Sequence, residues 1–183
     1  MLVKIALGLA AVIALLVVVI ATRPAAFRVQ RTAVIAAPVE VVYAEIEDLH
    51  RWNGWNPYEK ADPGIRLTYG GAPAGVGSSY HYAGPKIGEG RMTITALQPH
   101  RRVDVRAEFI KPFAATNDIE FTLKPAAGGV AVTWAMTGRN GFLGKAISLV
   151  VNMDRMVGDD FEVGLAELKR ISEAHAGAAV AVR

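Results

Sequence analysis

Residues 141–174 read GFLGKAISLVVNMDRMVGDDFEVGLAELKRISEA. Apolar side chains recur there at Phe142, Ala146, Leu149/Val150, Met153, Val157, Phe161, Leu165, Leu168 and Ile171. Steps of three and four place them on one face of a helix. Lys145, Ser148, Asn152, Arg155, Asp159, Glu162, Lys169 and Glu173 make the opposite face polar. One straight helix of this length would run roughly 50 Å, more than a small domain needs. Gly158 is the expected place for a bend. It would divide a rear half, Phe161–Ile171, packed on a sheet, from a front half, Phe142–Val157, bordering an opening. A long amphipathic stripe needs a surface to receive it, and the preceding residues supply one.

That surface is written in period two. Ile65, Leu67 and Tyr69 alternate with Arg66 and Thr68, and Tyr80 and Tyr82 alternate with Ser79 and His81. Met92, Ile94 and Ala96 then oppose Arg91, Thr93 and Thr95, and Val103, Val105, Ala107 and Phe109 oppose Arg102, Asp104, Arg106 and Glu108. Ile119, Phe121 and Leu123 follow, and after the Gly128–Gly129 turn come Val130, Val132, Trp134 and Met136. Such alternation marks an antiparallel sheet with one apolar and one wet face. An earlier strand is expected at Phe27–Ala36. A helix begins at Ala37–Pro38 with Val39, Val42/Tyr43, Ile46 and Leu49 on one side, and a second short helix or turn over Asp48–Tyr58 is closed by Pro57. If the sheet curves, sheet and final helix cannot touch everywhere, and a cavity opens between them. Residues 176–183 read as a flexible tail.

Between Ile5 and Ala21 no side chain is charged or strongly polar. Residues 1–22 can therefore span a bilayer, which takes about 17–25 residues. A cleaved signal peptide competes, with Lys4 as a minimal basic start and Val19–Ala21 as a tolerable cleavage site. The length of the apolar run favours a single-pass anchor. Arg23, Arg28 and Arg31 beyond it would hold the domain in the cytoplasm, whereas the short basic start resembles an export signal; the balance leans to an extracytoplasmic domain. Residues 23–26 are a short linker, so the domain over 27–175 must sit close to the membrane. The formal net charge is only +3, from 20 basic and 17 acidic residues, which implies no nucleic-acid partner. The absence of cysteine excludes disulfides, thiolate-bound zinc and thiol catalysis.

Local sequences make the element order more specific. These are Ala36–Tyr43 (AAPVEVVY), Trp52–Pro57 (WNGWNP), Gly75–Tyr80 (GVGSSY), Val132–Met136 (VTWAM) and Met153–Leu165 (MDRMVGDDFEVGL). Together they resemble the START-like superfamily, the birch-pollen-allergen or helix-grip fold, and within it the bacterial polyketide cyclase/dehydrase and lipid-transport group (SRPBCC). The resemblance covers residues 27–174. It implies an α+β fold in which a curved antiparallel sheet of about seven strands wraps on a long C-terminal helix, with two short helices after the first strand. It also implies an apolar small molecule held between sheet and helix. It does not choose among carriers, cyclases and co-chaperones.

No nucleophile elbow, phosphate-cradling loop or metal-ligand spacing occurs, and His50, His81, His100 and His175 are scattered, so no cofactor or metal is expected. The expected ligand-binding residues are Trp52, Trp55, Tyr58 and Phe113 at the rim, Tyr80, Tyr82, Met92, Phe121, Trp134 and Met136 in the wall, and Leu149 and Met153 on the helix. Simple core packing is the other reading of each. The leading function is a membrane-tethered module that binds a hydrophobic small molecule or lipid. One alternative is a cyclase/aromatase-like enzyme, for which His81, Tyr80 and Tyr82 are the candidates for proton transfer. The other is a scaffold with a filled core, contacting another membrane protein.

Overall fold

In the computed structural model, which describes residues 1–181, the alternating stretches become seven strands. They are β1 (Ala26–Ile35), β2 (Arg66–Gly71), β3 (Ser78–Gly84), β4 (Gly88–Gln98), β5 (Arg102–Lys111), β6 (Ala115–Ala126) and β7 (Gly129–Arg139). They form one antiparallel sheet in the order β1-β7-β6-β5-β4-β3-β2. An apolar helix, α1 (Leu2–Thr22), precedes the sheet. Between β1 and β2 lie α2 (Val39–Glu47), a 3-10 turn (Leu49–Gly54) and α3 (Pro57–Ala61); after β7 come α4 (Phe142–Ile147) and α5 (Met153–Ala181). This is the expected helix-grip architecture.

The inner face of the sheet and the stripe of α5 bury each other: Val29, Ile94, Val105, Phe121, Val132 and Trp134 from strands, Phe161, Leu165 and Leu168 from the helix. Helix α5 runs in the same direction as β1. Arg31 donates to Glu162 (2.7 Å) and to the Asp154 carbonyl (3.0 Å). Further along, Lys169 donates to the Val34 carbonyl (3.0 Å), and the Ala36 N–H donates to Glu173 (2.9 Å). The contact is tightest where Phe161 stacks on Trp134, ring centroids 4.2 Å apart and planes 11° from parallel. Gly164, one turn later, allows that approach: a Cβ there would lie 2.6 Å from the Trp134 ring and 3.0 Å from Pro57.

Several local expectations are corrected. The C-terminal helix breaks at residues 148–152 rather than at Gly158. β-branched Val150 and Val151 disfavour helix there, and Asn152 restarts it by accepting from the Arg155 N–H (3.0 Å) as an N-cap. Gly158 instead makes room for the Arg31 guanidinium, with which any side chain would collide. The expected division of labour along the helix holds with its boundary moved: Leu165 and Leu168 are fully buried, whereas Leu149 and Met153 are only partly so. Pro57 opens α3 at its first position instead of closing a segment. In β4 the register shifts between Ile94 and Ala96, so Ala96 points outward and Leu97 turns toward the core. Helix α5 continues through Ala181 over most of the expected tail, in keeping with its run of alanines and the packing of Ala176 on the core; residues 182–183 lie outside the described residues.

The Gly164 contact makes a prediction contrary to helix propensity. A Gly→Ala change inside a helix ordinarily stabilises by about 1 kcal/mol, whereas over-packing a tight contact costs about 1–3 kcal/mol. Gly164→Ala should therefore lower the unfolding free energy by about 1 kcal/mol in urea titration of the detergent-solubilised chain. A stabilised variant would show that the Trp134 contact yields without cost.

Candidate functional site

Because α5 closes on the sheet only from Phe161 onward, a cavity of about 820 Å³ remains in front of that contact. Its sheet wall comprises Tyr80, Tyr82, Met92, Phe109, Ile119, Trp134 and Met136. Leu143 and Ile147 of α4 and Met153 and Val157 of α5 cover it, and Pro112, Phe113 and Ala114, between β5 and β6, edge it together with Ala115 at the start of β6. Alternation along β3 directs Tyr80 and Tyr82 inward. Gly90, paired with Tyr82 on the next strand, gives that ring its space. Trp52 is locked from behind, its indole N–H donating to the Ile46 carbonyl (2.9 Å).

Polar groups gather where α3 meets β3. Asn56, itself buried, caps α3 by accepting from the Tyr58 N–H (3.2 Å), and its amide nitrogen lies 3.4 Å from both the Tyr80 hydroxyl and Glu59 Oε1. Burial pushes the Glu59 carboxyl up to about 7, against the smaller opposing effect of the Asn56 bond. Burial also raises Tyr82 to about 12 and holds Tyr80 far above its ordinary value; Tyr58 is raised by burial and then by the Asp160 carboxylate. Near neutral pH these hydroxyls stay protonated and can only donate or accept hydrogen bonds, while Glu59 is poised to exchange a proton. Trp134 is nearly fully buried, and its indole N–H has no hydrogen-bond partner among the described residues. Outside the cavity, the base of α3 is held by buried Asp62. Burial would raise its carboxyl, but the Lys86, Ile87 and Gly64 N–H groups outweigh that and hold it below the ordinary value.

Of the residues singled out from sequence, Trp52, Tyr58, Tyr80, Tyr82, Met92, Phe113, Trp134, Met136 and Met153 line the cavity. Trp55 and Phe121 lie behind the wall, where Trp55 packs edge-on against Phe121 and Trp134 and donates to the Glu45 carbonyl (3.0 Å). Leu149 sits in the break between α4 and α5, away from the lining. His81 projects from the other face of β3, 3.2 Å from Glu89, and has no place in the cavity. Glu59 and Asn56 were not anticipated. The signal for them was the cap itself: Asn56, Pro57 and Glu59 occupy N-cap, N1 and N3, the spacing of a capping box.

The chain matches the family model for polyketide cyclase / dehydrase and lipid transport over residues 26–173, and it belongs to that family. No curated protein matches it in sequence. Its fold is similar to that of a protein from Chromobacterium violaceum (17% identity, 80% of this chain and 96% of the other, TM-score 0.59). It is similar also to Aha1 from Colwellia psychrerythraea (15% identity, 80% and 96%, TM-score 0.58). A third likeness is to the di-domain aromatase/cyclase StfQ of the steffimycin biosynthetic pathway (12% identity, 84% and 52%, TM-score 0.60). At such identities the likeness is one of fold.

Glu59 makes stability depend on pH. In the unfolded chain its carboxyl ionises near 4.5, in the folded protein near 7. Between these values the folded state binds more protons, so its contribution to stability falls as pH rises from about 4.5 to about 7 and is level above. Glu59→Gln should remove this slope. After allowance for partial solvent access, the variant should be more stable than the parent at pH 8 by roughly 1–2 kcal/mol and equal to it at pH 4. Chemical denaturation at the two pH values checks this.

Proposed function

We propose that this family member is a membrane-tethered module that holds a hydrophobic small molecule or lipid between its sheet and its C-terminal helices. The observation that carries the reading is the cavity, whose volume of about 820 Å³ lies within the roughly 300–1,000 Å³ usual for small-molecule sites. Its apolar lining suits an acyl, isoprenoid or polycyclic body. The Asn56–Tyr80–Glu59 cluster suits one neutral hydrogen-bonding end, such as a hydroxyl, a carbonyl or a protonated acid. An anionic end would meet the Glu59 carboxyl and the Asp160 carboxylate in the same lining. The open space speaks against a scaffold with a filled core. Helix α1 is long and apolar enough to cross a membrane, with none of its residues buried, although a signal sequence would have the same character. As an anchor it would hold the domain where membrane-derived ligand is concentrated.

A second reading, a cyclase-like enzyme, is favoured by one observation: Glu59 titrates near neutrality inside the cavity. There it would move a proton at a carbonyl-bearing chain, with Tyr80 and Asn56 as hydrogen-bonding partners. Glu59→Gln separates the two readings. A binding module keeps its ligand, and an enzyme loses roughly 10²-fold or more in turnover.

For the leading reading, solvent extraction and mass spectrometry of the purified chain should recover an apolar compound, and fluorescent fatty-acyl or isoprenoid probes should bind. Ile147→Trp, which projects into the cavity from α4, should weaken probe binding by about tenfold, or about 1.4 kcal/mol, without lowering the thermal midpoint. No extracted compound together with no probe binding would refute the module.

A further inference from the structure

Strand register places three features at one end of the sheet. Ala26, the start of β1, pairs with Arg139, the end of β7, and Phe109, near the end of β5, pairs with Ala115, the start of β6. The linker after α1, the 112–114 loop and α4 therefore share the end at which the cavity opens. Their association is held by bonds. The Asn140 N–H donates to the Ala25 carbonyl (2.8 Å), and Lys145 of α4 donates to the Ala21 carbonyl in the last turn of α1 (3.1 Å). Only residues 23–25 separate α1 from β1. Helix α4 thus lies at the level where α1, if it spans, leaves the bilayer.

The same end exposes large apolar side chains. Phe113 is 59% exposed, Leu143 52% and Met156 51%, and all three also line the cavity; Phe142, beside Leu143, is equally open. Among the described residues elsewhere on the domain, Val34, Val76 and Val163 are exposed on separate elements, a strand, a loop and α5. An apolar rim of this kind marks an interaction surface. Arg139 lines the cavity with them, and Arg23 and Lys145 lie at the same end; of the acidic groups on α5, Asp154 is engaged by Arg31 and Asp160 lies in the cavity lining. Aromatic and aliphatic groups flanked by cations match the interface of a bilayer, with phosphates outside and acyl chains within.

We propose that the mouth of the cavity seats on the bilayer surface, with Phe113, Phe142 and Leu143 entering the headgroup region and Arg139 and Lys145 facing lipid phosphates, so that ligand passes between leaflet and cavity without crossing water. The proposal rests on the reading of α1 as a membrane anchor and gives that anchor a second task, orientation of the portal.

The cysteine-free chain permits a direct test by spin labelling. Single cysteines at Phe113, Leu143, Val12 and Ala127 are labelled with a nitroxide in the full chain, reconstituted in vesicles of mixed zwitterionic and anionic lipid. Collision with oxygen and with a water-soluble nickel chelate then reports depth. Val12 lies within α1, and Ala127 lies in the β6–β7 turn at the opposite end of the sheet. Labels at 12, 113 and 143 should be several-fold more accessible to oxygen than to nickel, and the label at 127 the reverse. If 12 is immersed but 113 and 143 behave like 127, the mouth faces water; the proposal fails and the anchor stands. If 12 is also aqueous, the anchor fails and the proposal with it. If 113 and 143 are shielded from both reagents, a protein surface covers the rim, and the bilayer is the wrong partner.

Discussion

Phe161 lying flat on Trp134 is the contact from which the rest of the cavity follows. A twisted sheet and a straight helix share a close contact over a limited length. Here that length is set by side-chain size. Two large rings stack, Gly164 removes the Cβ that would hold the helix off, and Leu165 and Leu168 continue the seal toward the C-terminal end. Ahead of Phe161 the sheet diverges from the helix, and the smaller side chains Val157 and Met153 do not fill the space. On the β1 side, Arg31 keeps the first turns of α5 from closing further. Its guanidinium lies over Gly158 and bonds to both Asp154 and Glu162. The helix is held at one end by apolar stacking and near the other by a cation, and the cavity is the interval beside them.

The polar cluster gives this interval a direction. A carboxyl placed in an apolar wall is costly when ionised, and burial accordingly holds Glu59 in its neutral form over a wider pH range than a surface carboxyl. Its companions are a tyrosine and an amide, neither charged, and the buried indole N–H of Trp134 adds a donor with no acceptor among the described residues. As long as Glu59 keeps its proton this cluster carries no charge, while Asp160 lines the same cavity. An uncharged ligand group with lone pairs suits that balance better than an anion does. Recognition of this kind is modest in strength, because each neutral hydrogen bond contributes only about 0.5–1.5 kcal/mol net, and most of the affinity would come from apolar contact.

Much of this fold was legible because its periodicities are clean. Alternation identified the strands that follow the helices after β1, and the steps of three and four identified the gripping helix. Two of the corrected expectations share a cause, the assumption that a special residue acts on its own backbone. Gly158 looked like a hinge, but glycine inside a helix also serves close approach, and the approaching group, Arg31, lies far away in sequence. Pro57 looked like a terminator, although proline suits the first turn of a helix and Asn56 before it is a cap. The true break was marked locally by Val150, Val151 and Asn152. The β4 shift at Thr95 has no local signature, and it changes which of Ala96 and Leu97 faces inward. In the site, the aromatic residues were legible as a group. The distinction between Trp52 on the cavity and Trp55 behind it depends on the turn geometry of the 3-10 segment, which no pattern of residue types encodes.

Topology then decides which end of the cavity an anchor can serve. Helix α5 and β1 run parallel, from the open end toward the sealed end, as the successive bonds at Arg31, Val34 and Ala36 record. The start of β1 therefore belongs to the open end, and the end of α5 to the sealed one. If α1 spans a membrane, its junction to the start of β1 through residues 23–25 would leave it little freedom to present any other part of the domain, since a linker so short cannot reach around the sheet. The same helix attached after α5 would turn the mouth toward water. For a chain of this topology, an N-terminal anchor and a portal near the bilayer are one geometric choice, and the exposed apolar rim lies where that choice would place it.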